Sequence, residues 1–466
     1  MLFSSPVFFL FFVIYFLLHT ILPIRWRLSL IICGSIIFYS YWNLYYIWLP
    51  FVIMYLAYFG SIWMMSTNDF PKKKKRLIIV LTLTLLPLLI VKYTNFLYQD
   101  FFGFFFEKNT KLINWQLPLG ISFITFTLIA YVVDVYTGRY PLERNVGTLT
   151  GLVLFFPHLI AGPILRPADL MPQLNRPKRR VNILFIFGIS IFSIGLLKKL
   201  VFADSLAQIV EPVFHINSIH LTNLDYILAI YAFAVQIYCD FSGYTDMAIG
   251  LAILLGVKLP INFKQPYAAT SLIDFWKRWH ITLSNWLRDY LYIPLGGSRV
   301  GYIRQTFNLF ITMILGGLWH GASWNFIIWG AAHGIAIGFV HSIRKYRLLK
   351  WLHSFPKFIK IFITFHFVAI CWILFRSPDL LTAWHVASGP FFASTVDPFR
   401  FLIQHIYEIT LICIFFIFHR WDNYQIIRYA IRYAPKILIW AIIFLLWIVA
   451  ITVSQGSSAK FIYFDF

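Results

Sequence analysis
Within Gly317–Gly334, GLWHGASWNFIIWGAAHG, two histidines stand among glycines and tryptophans in an otherwise apolar stretch. An imidazole titrates near neutrality, so a histidine shielded from water is suited to take a proton from a reacting hydroxyl. Glycine lets helices or a substrate approach closely, while tryptophan walls exclude water. His320 is flanked by Gly321 and Ser323, and His333 follows Trp329 by one turn on the same helical face. Either imidazole could instead bond a neighbouring helix's carbonyl and do no chemistry. A third histidine, His280, lies in Asp274–Tyr290, DFWKRWHITLSNWLRDY, beside Trp276 and Leu287 on the helical wheel. This segment reads as an interfacial helix, with Phe275, Trp279, Leu283, Trp286 and Tyr290 on its apolar face and His280 at the edge. It is followed by Ile293–Ser298, a turn-forming stretch that brings backbone close to a ligand or another helix.

Carboxylates form the second group of candidates. In Tyr238–Asp246, Asp240 and Tyr244 are neighbours one turn apart, as are Ser242 and Asp246. Such groups could bind a cation, relay protons or orient a histidine, or they could bond neighbouring helices and hold a bundle together. We take the structural reading for them, and for Asp134 and Glu408. A metal site made from His280, His320, His333 and Asp240 has no short ligand spacing behind it, and no metal is assigned. No nucleophile elbow, HExxH zinc motif or phosphate-binding loop is present.

The elements that must position these groups follow from composition. Of 466 residues, 60% are hydrophobic and only 12% charged, and the mean hydropathy is +0.74. That is about half the charge of a soluble domain, which excludes disorder, a coiled coil and a nucleic-acid-binding module. The chain reads as an all-α polytopic membrane protein. Apolar spans start near Leu2, Leu28, Tyr45, Leu77, Leu117, Val181, Asp225, Phe358, Phe401 and Lys436. Asn308–Lys345 is too long for one span and reads as a helical hairpin with its apex near Trp319–Ser323. Pro157, Gly162 and Pro163 mark Gly147–Leu165 as a broken or re-entrant element. The total is about 11–12 spans, supplemented by re-entrant and interfacial helices. The apolar run to Pro23, lacking a basic start and a cleavage site, reads as an uncleaved first span. Cys33, Cys239, Cys371 and Cys413 are isolated packing residues.

The net charge of +21 is gathered in clusters. Arg25/Arg27, Lys72–Arg76, Arg139/Arg144, Arg176–Arg180, Lys258–Arg304 and Arg344–Lys350 are assigned to the cytoplasmic side, and Arg420–Lys436 joins them with both termini outside. Lys198 and Lys199 fall at the outer end of a span, where they are expected to snorkel or face a cavity. No stretch outside the spans is long enough for a soluble catalytic domain, so any chemistry belongs inside the bundle.

Four segments resemble the membrane-bound O-acyltransferase family, specifically the bacterial branch containing alginate O-acetyltransferases. They are Pro118–Phe126 with Tyr131–Tyr136, Phe156–Pro163, Phe275–Ser284 with Trp286–Gly297, and Leu318–Gly321 with Trp324, Trp329–Gly330 and His333–Gly334. Together they span about residues 117–334, a motif-bearing core within a single integral membrane domain. The resemblance implies a tunnel through the bundle, reached by an acyl donor from the cytoplasm and an acceptor from outside. It identifies His320 with the family's Trp-His-Gly histidine and His280 with the Arg-Trp-His histidine of the bacterial branch, and it leaves His333 undecided.

From that resemblance we expect direct acyl transfer, with His320 as the general base. His280 would position the donor or hydrogen-bond the developing oxyanion, and Trp319, Ser323, Trp276, Arg278 and Asp289 are expected to contact substrate. A covalent acyl-histidine intermediate is the less favoured route. No cofactor is expected to be bound. The donor substrate would be acetyl-CoA or another acyl thioester, including a carrier-protein thioester, with cations of Lys258–Arg304 at its phosphates. The acceptor would be an extracytoplasmic polysaccharide, served by a partner acetyltransferase or acceptor protein. Membrane lipids surround the chain in a bacterial cytoplasmic (inner) membrane, and nucleic acid is not a partner. Ile293–Gly297 favours acetyl over D-alanyl transfer. The alternatives are D-alanylation of teichoic acid, or a transporter using Asp240, Asp246 and Lys198, against which the lack of an internal repeat argues.

Overall fold
A computed structural model describes residues 1–98, 117–175, 182–215, 221–345, 355–454 and 461–462. Regular structure among these residues is helical, and they divide into two compact units, each taken by itself below. The basic run Arg176–Arg180 and most of Arg344–Lys350 lie outside the described residues.

The first unit comprises residues 1–192 and 247–260. It contains helices α1 (Pro6–Ile21), α2 (Arg27–Ser40), α3 (Trp48–Met65), α4 (Phe70–Phe96), α5 (Ile121–Thr137), α6 (Val146–Leu154), α7 (Phe156–Leu159) and α8 (Pro167–Asn175). Helix α3 packs on α4, α5 and α6, while α2 packs on α6 and α7. Phe3, Phe8, Phe38 and Phe156 are fully buried, and their rings form one connected cluster. The element expected to be broken is broken. Between α6 and α7 the backbone leaves the helical region at Phe155, with φ −49° and ψ 99°. Two side chains satisfy polar groups around the break. Ser35 Oγ accepts from Phe156 N at 3.1 Å, and His158 Nε2 donates to Leu152 O at 2.8 Å. Irregular backbone is tolerated at membrane depth only with such internal partners.

The second unit comprises residues 193–246 and 261–466. Its described elements include α10 (Asp204–Phe214), α12 (Leu272–Trp276), α13 (Ile281–Leu287), α14 (Tyr302–His320), α15 (Trp324–Lys345) and α16 (Lys357–Arg376). Helices α9 (Asn182–Leu197) and α11 (Asn223–Leu254) contribute residues to both units. The hairpin α14/α15 turns at Gly321–Ser323, inside the expected apex. Its arms approach closely because Gly317 faces the Phe326 carbonyl and Gly330 the Met313 carbonyl, where any Cβ would collide.

Seven described helices are long and apolar enough to cross a membrane, or eight with the bent pair Pro398–Gln404 and Ile406–Trp421. Two further apolar helices expected as spans fall below that length. Helices α1 and α5 hold 16 and 17 residues, about 24–26 Å at 1.5 Å per residue and short of a hydrocarbon core of about 30 Å.

The expected interfacial helix over Asp274–Tyr290 is not one helix. It is α12, a turn at Lys277–His280, α13, and a π turn over Arg288–Tyr292. His280, expected at the edge of an apolar face, is fully buried at the turn. Lys198 and Lys199, expected to snorkel or face a cavity, turn instead into ion pairs. They open a π turn, Lys198–Ala203, that joins α9 to α10. Lys198 Nζ lies 2.7 Å from Asp246 Oδ2 and 2.5 Å from Asp422 Oδ2, while Lys199 Nζ lies 2.8 Å from both Asp204 Oδ1 and Asp240 Oδ1. Tyr424 and Tyr238 donate to Asp246 and Asp422 at 2.5 and 2.6 Å. Asp240 and Asp246, two of the carboxylates taken as structural, are thus ion-paired in the interior. Removing one member of a buried pair strands the other charge. Lys199→Met is therefore expected to destabilise the protein by roughly 3–5 kcal/mol. Denaturant unfolding of purified protein in bicelles measures this, and an unchanged midpoint would contradict the assignment.

Candidate active site
The site is built on three elements of the second unit: the end of α14, the face of α15, and the turn between α12 and α13. Helix α14 ends at His320 because Gly321 departs into extended backbone, and Asn325 anchors the start of α15 by donating Nδ2 to Ser377 O at 2.7 Å. His320 is buried, with its ring against Trp319, Trp329 and Phe375 at centroid distances of 5.0, 5.3 and 5.1 Å. Trp319 also meets His280 at 6.0 Å, so one indole contacts both imidazoles expected to act.

His280 occupies left-handed backbone, φ 42° and ψ 55°, as the residue before α13. A non-glycine residue there carries strain of order 1–3 kcal/mol, and it persists only where the surroundings enforce it. Asn262 enforces it. Its carbonyl accepts from Ile281 N at 2.9 Å, and Lys264 N donates to Arg278 O at 2.9 Å, pinning the turn against residues 262–264. Asn262 Oδ1 further accepts from Thr282 N, Thr282 Oγ1 and His280 Nδ1 at 3.2, 2.8 and 3.1 Å. Phe241 packs edge-on to the imidazole at 4.8 Å. His280 lies outside the spanning helices, and burial alone lowers its pKa to about 3. The ring is neutral at any physiological pH.

His333, left undecided by sequence, joins the same aromatic wall. Trp276 Nε1 donates to its Nδ1 at 3.3 Å, and Trp329 meets its ring at 4.8 Å and that of His320 at 5.3 Å. Trp276, expected to contact substrate, thus packs beside His333, which engages its indole N–H. Ser323 is half-buried in the hairpin turn, where its carbonyl accepts from Ile327 N. Arg278 and Asp289 are held in local pairs, Arg278 with Asp274 at 2.8 Å and Asp289 with Arg288 at 2.6 Å. Neither partner is an imidazole. Sequence reasoning missed Asn262, Phe241 and Phe375. The last two are ordinary apolar residues in apolar runs, and Asn262 sits in INFKQPY, a stretch with no motif of its own.

The site therefore gathers His320 and His333 against the Trp329 indole, and His320 and the neutral His280 against that of Trp319, buried surroundings suited to proton transfer. Residues 34–377 match the membrane-bound O-acyltransferase family. The chain is 38% identical over 403 residues to a protein of Azotobacter vinelandii named "Probable alginate O-acetylase", covering 84% of this chain and 78% of that one. It is 37% identical over 425 residues to a peptidoglycan O-acetyltransferase of Helicobacter pylori, covering 84% and 79%. A teichoic acid D-alanyltransferase of Bacillus subtilis is 29% identical over 279 residues, covering 55% and 68%.

The buried neutral His280 ties stability to pH. The unfolded chain protonates this ring below about pH 6.5, whereas the folded chain resists until about pH 3. Between those values the unfolded state holds more protons, so acidification favours unfolding by up to about 1.4 kcal/mol per pH unit. The expected outcome is that His280→Gln loses less thermal stability than the native protein between pH 6.5 and 5. Equal losses in detergent melts would contradict it.

Proposed function
The chain belongs to the membrane-bound O-acyltransferase family, and on that premise we propose that it acetylates an extracytoplasmic polysaccharide. The observation that carries the reading is the pair of buried imidazoles, His280 and His320, sharing the Trp319 indole. The higher identity and wider coverage of the two O-acetyltransferases, against the D-alanyltransferase, support acetyl as the transferred group. A glycan hydroxyl attacks the thioester carbonyl of the donor. Its oxygen forms the new C–O bond, the C–S bond breaks, and the hydroxyl proton passes through an imidazole to the departing sulfur. The products are an acetyl ester and a free thiol. In this scheme His320 takes the proton and His280 orients the reacting groups.

The donor is acetyl-CoA or another acyl thioester, including one on a carrier protein. The exposed cations Lys277, Arg299 and Arg304 lie in the basic segment suited to its phosphates. The acceptor is an alginate-like exopolysaccharide or a cell-wall glycan, reached with a partner acetyltransferase or acceptor protein on the outer side of a bacterial cytoplasmic membrane.

His320→Ala is expected to lower acetyl transfer by about 10²–10⁴-fold while leaving membrane insertion and yield unchanged. Mass spectrometry of cell-surface glycans, comparing cells with the native and variant protein, reads the loss of acetyl esters. Full acetylation by the variant would overturn the assignment, and loss of D-alanyl esters instead would move the chain to the D-alanylating branch.

A further inference from the structure
We propose that Asn262 is a positioning residue of the reaction, which holds His280 as the Nδ1–H tautomer so that Nε2 offers a lone pair to a substrate hydroxyl. The proposal rests on the reading that His280 belongs to the reacting centre, and it adds what that ring can do. A backbone N–H can only donate, so the Asn262 atom facing Thr282 N at 3.2 Å must be the oxygen. Turning the amide over would set its NH2 against that N–H, donor facing donor. The same oxygen lies 3.1 Å from His280 Nδ1, which must then carry the proton. A neutral imidazole has one N–H, and it is now used. Nε2 is left as a pure acceptor, fully buried, with no hydrogen-bond partner among the described residues.

Asn262 itself is fully buried, and the Thr282 hydroxyl at 2.8 Å gives its oxygen a third donor. That oxygen has no capacity to turn elsewhere, so the tautomer is fixed by three simultaneous bonds. In the neutral state His280 therefore cannot donate to an oxyanion from Nε2. It accepts a hydrogen bond from a neighbouring hydroxyl of the acceptor glycan, which leaves the attacking hydroxyl's single proton to His320 and holds the acceptor against the thioester carbon.

The rings packed on His280 are Phe241, Phe263 and Trp319. On the elements carrying them, the groups able to take or lose charge near this ring are Asp240, held by Lys199, with Tyr244 and His320. No carboxylate touches the ring, so placing one at position 262 is a controlled perturbation.

Two variants and one spectrum test the proposal in the full-length protein, purified in bicelles, with acetyl-CoA as donor and alginate oligosaccharide as acceptor. Asn262→Leu is expected to lower kcat at least about tenfold with a smaller change in the KM for acetyl-CoA, since orientation and not donor binding is lost. Asn262→Asp keeps an acceptor for Nδ1–H and is expected to restore activity at high pH. Its carboxylate favours the imidazolium, so the acid limb of kcat should move up by about one pH unit or more. In 15N spectra of histidine-labelled protein, a readout that needs no acceptor, His280 Nε2 should be of the pyridine type in the native protein and in Asn262→Asp at high pH.

A residue that only packs would give the same kcat loss for both variants and no movement of the acid limb, and that result overturns the proposal. So does a protonated Nε2 in the neutral native ring, a reading that needs no variant to fold. His280→Ala separates the two layers. If it is inactive while Asn262→Leu is native-like, the proposal fails and the acyltransfer reading stands. If His280→Ala is fully active, His280 is not part of the reacting centre.

Discussion
Inside an apolar bundle, a backbone that leaves the helix has no water to satisfy the groups it frees, and each departure must be met by a partner from the protein. Two breaks in this chain obey that constraint in the same manner. At Phe155 the Ser35 hydroxyl and the His158 ring take over. At His280 the whole of Asn262 does, main chain and side chain together. The second break holds His280, the ring proposed to orient the reacting groups, and the partner that makes the irregular backbone tolerable also bonds that imidazole. Fold and site are therefore not separable there, because removing the clamp removes both the turn and the ring's orientation.

Around that turn the interior is divided by polarity. Aromatic rings of Trp276, Trp319, Trp329, Phe241 and Phe375 surround the imidazoles, and the buried charges sit in their own clusters, each ammonium between two carboxylates. A low-polarity enclosure strengthens every hydrogen bond formed in it and makes an unmatched charge expensive. The ions are matched with one another, and the His280 ring, kept neutral by its burial, is left among aromatic faces.

The parts legible in sequence were those written in local residue types. Glycine and serine after Trp319 marked the apex of the α14/α15 hairpin, and Pro157, Gly162 and Pro163 marked the broken element. The Trp-His-Gly and Arg-Trp-His segments marked His320 and His280. What stayed hidden depends on contacts distant along the chain. The helical pattern of Asp274–Tyr290 is genuine, and Phe275, Trp279, Leu283 and Trp286 are indeed buried. The left-handed residue that divides it is imposed by Asn262, which periodicity does not sense. The acid partners of Lys198 and Lys199 include Asp240, Asp246 and Asp422, far along the sequence, so a hydropathy reading saw only two misplaced cations. Apolarity reveals which segments avoid water and not how long each helix is, so α1 and α5 read as spans in sequence although each is shorter than the seven described helices that are long enough to cross.

The π turn at Lys198–Ala203 has one more consequence. Two consecutive residues of a helix point about 100° apart, and here each is committed to a different pair of acids. The helix can neither roll about its axis nor slide by a residue without exchanging those commitments, and either motion would leave carboxylates facing no cation. The segment thus behaves as a keyed shaft: apolar side chains alone would tolerate several rotational settings, whereas the two ammonium groups admit one.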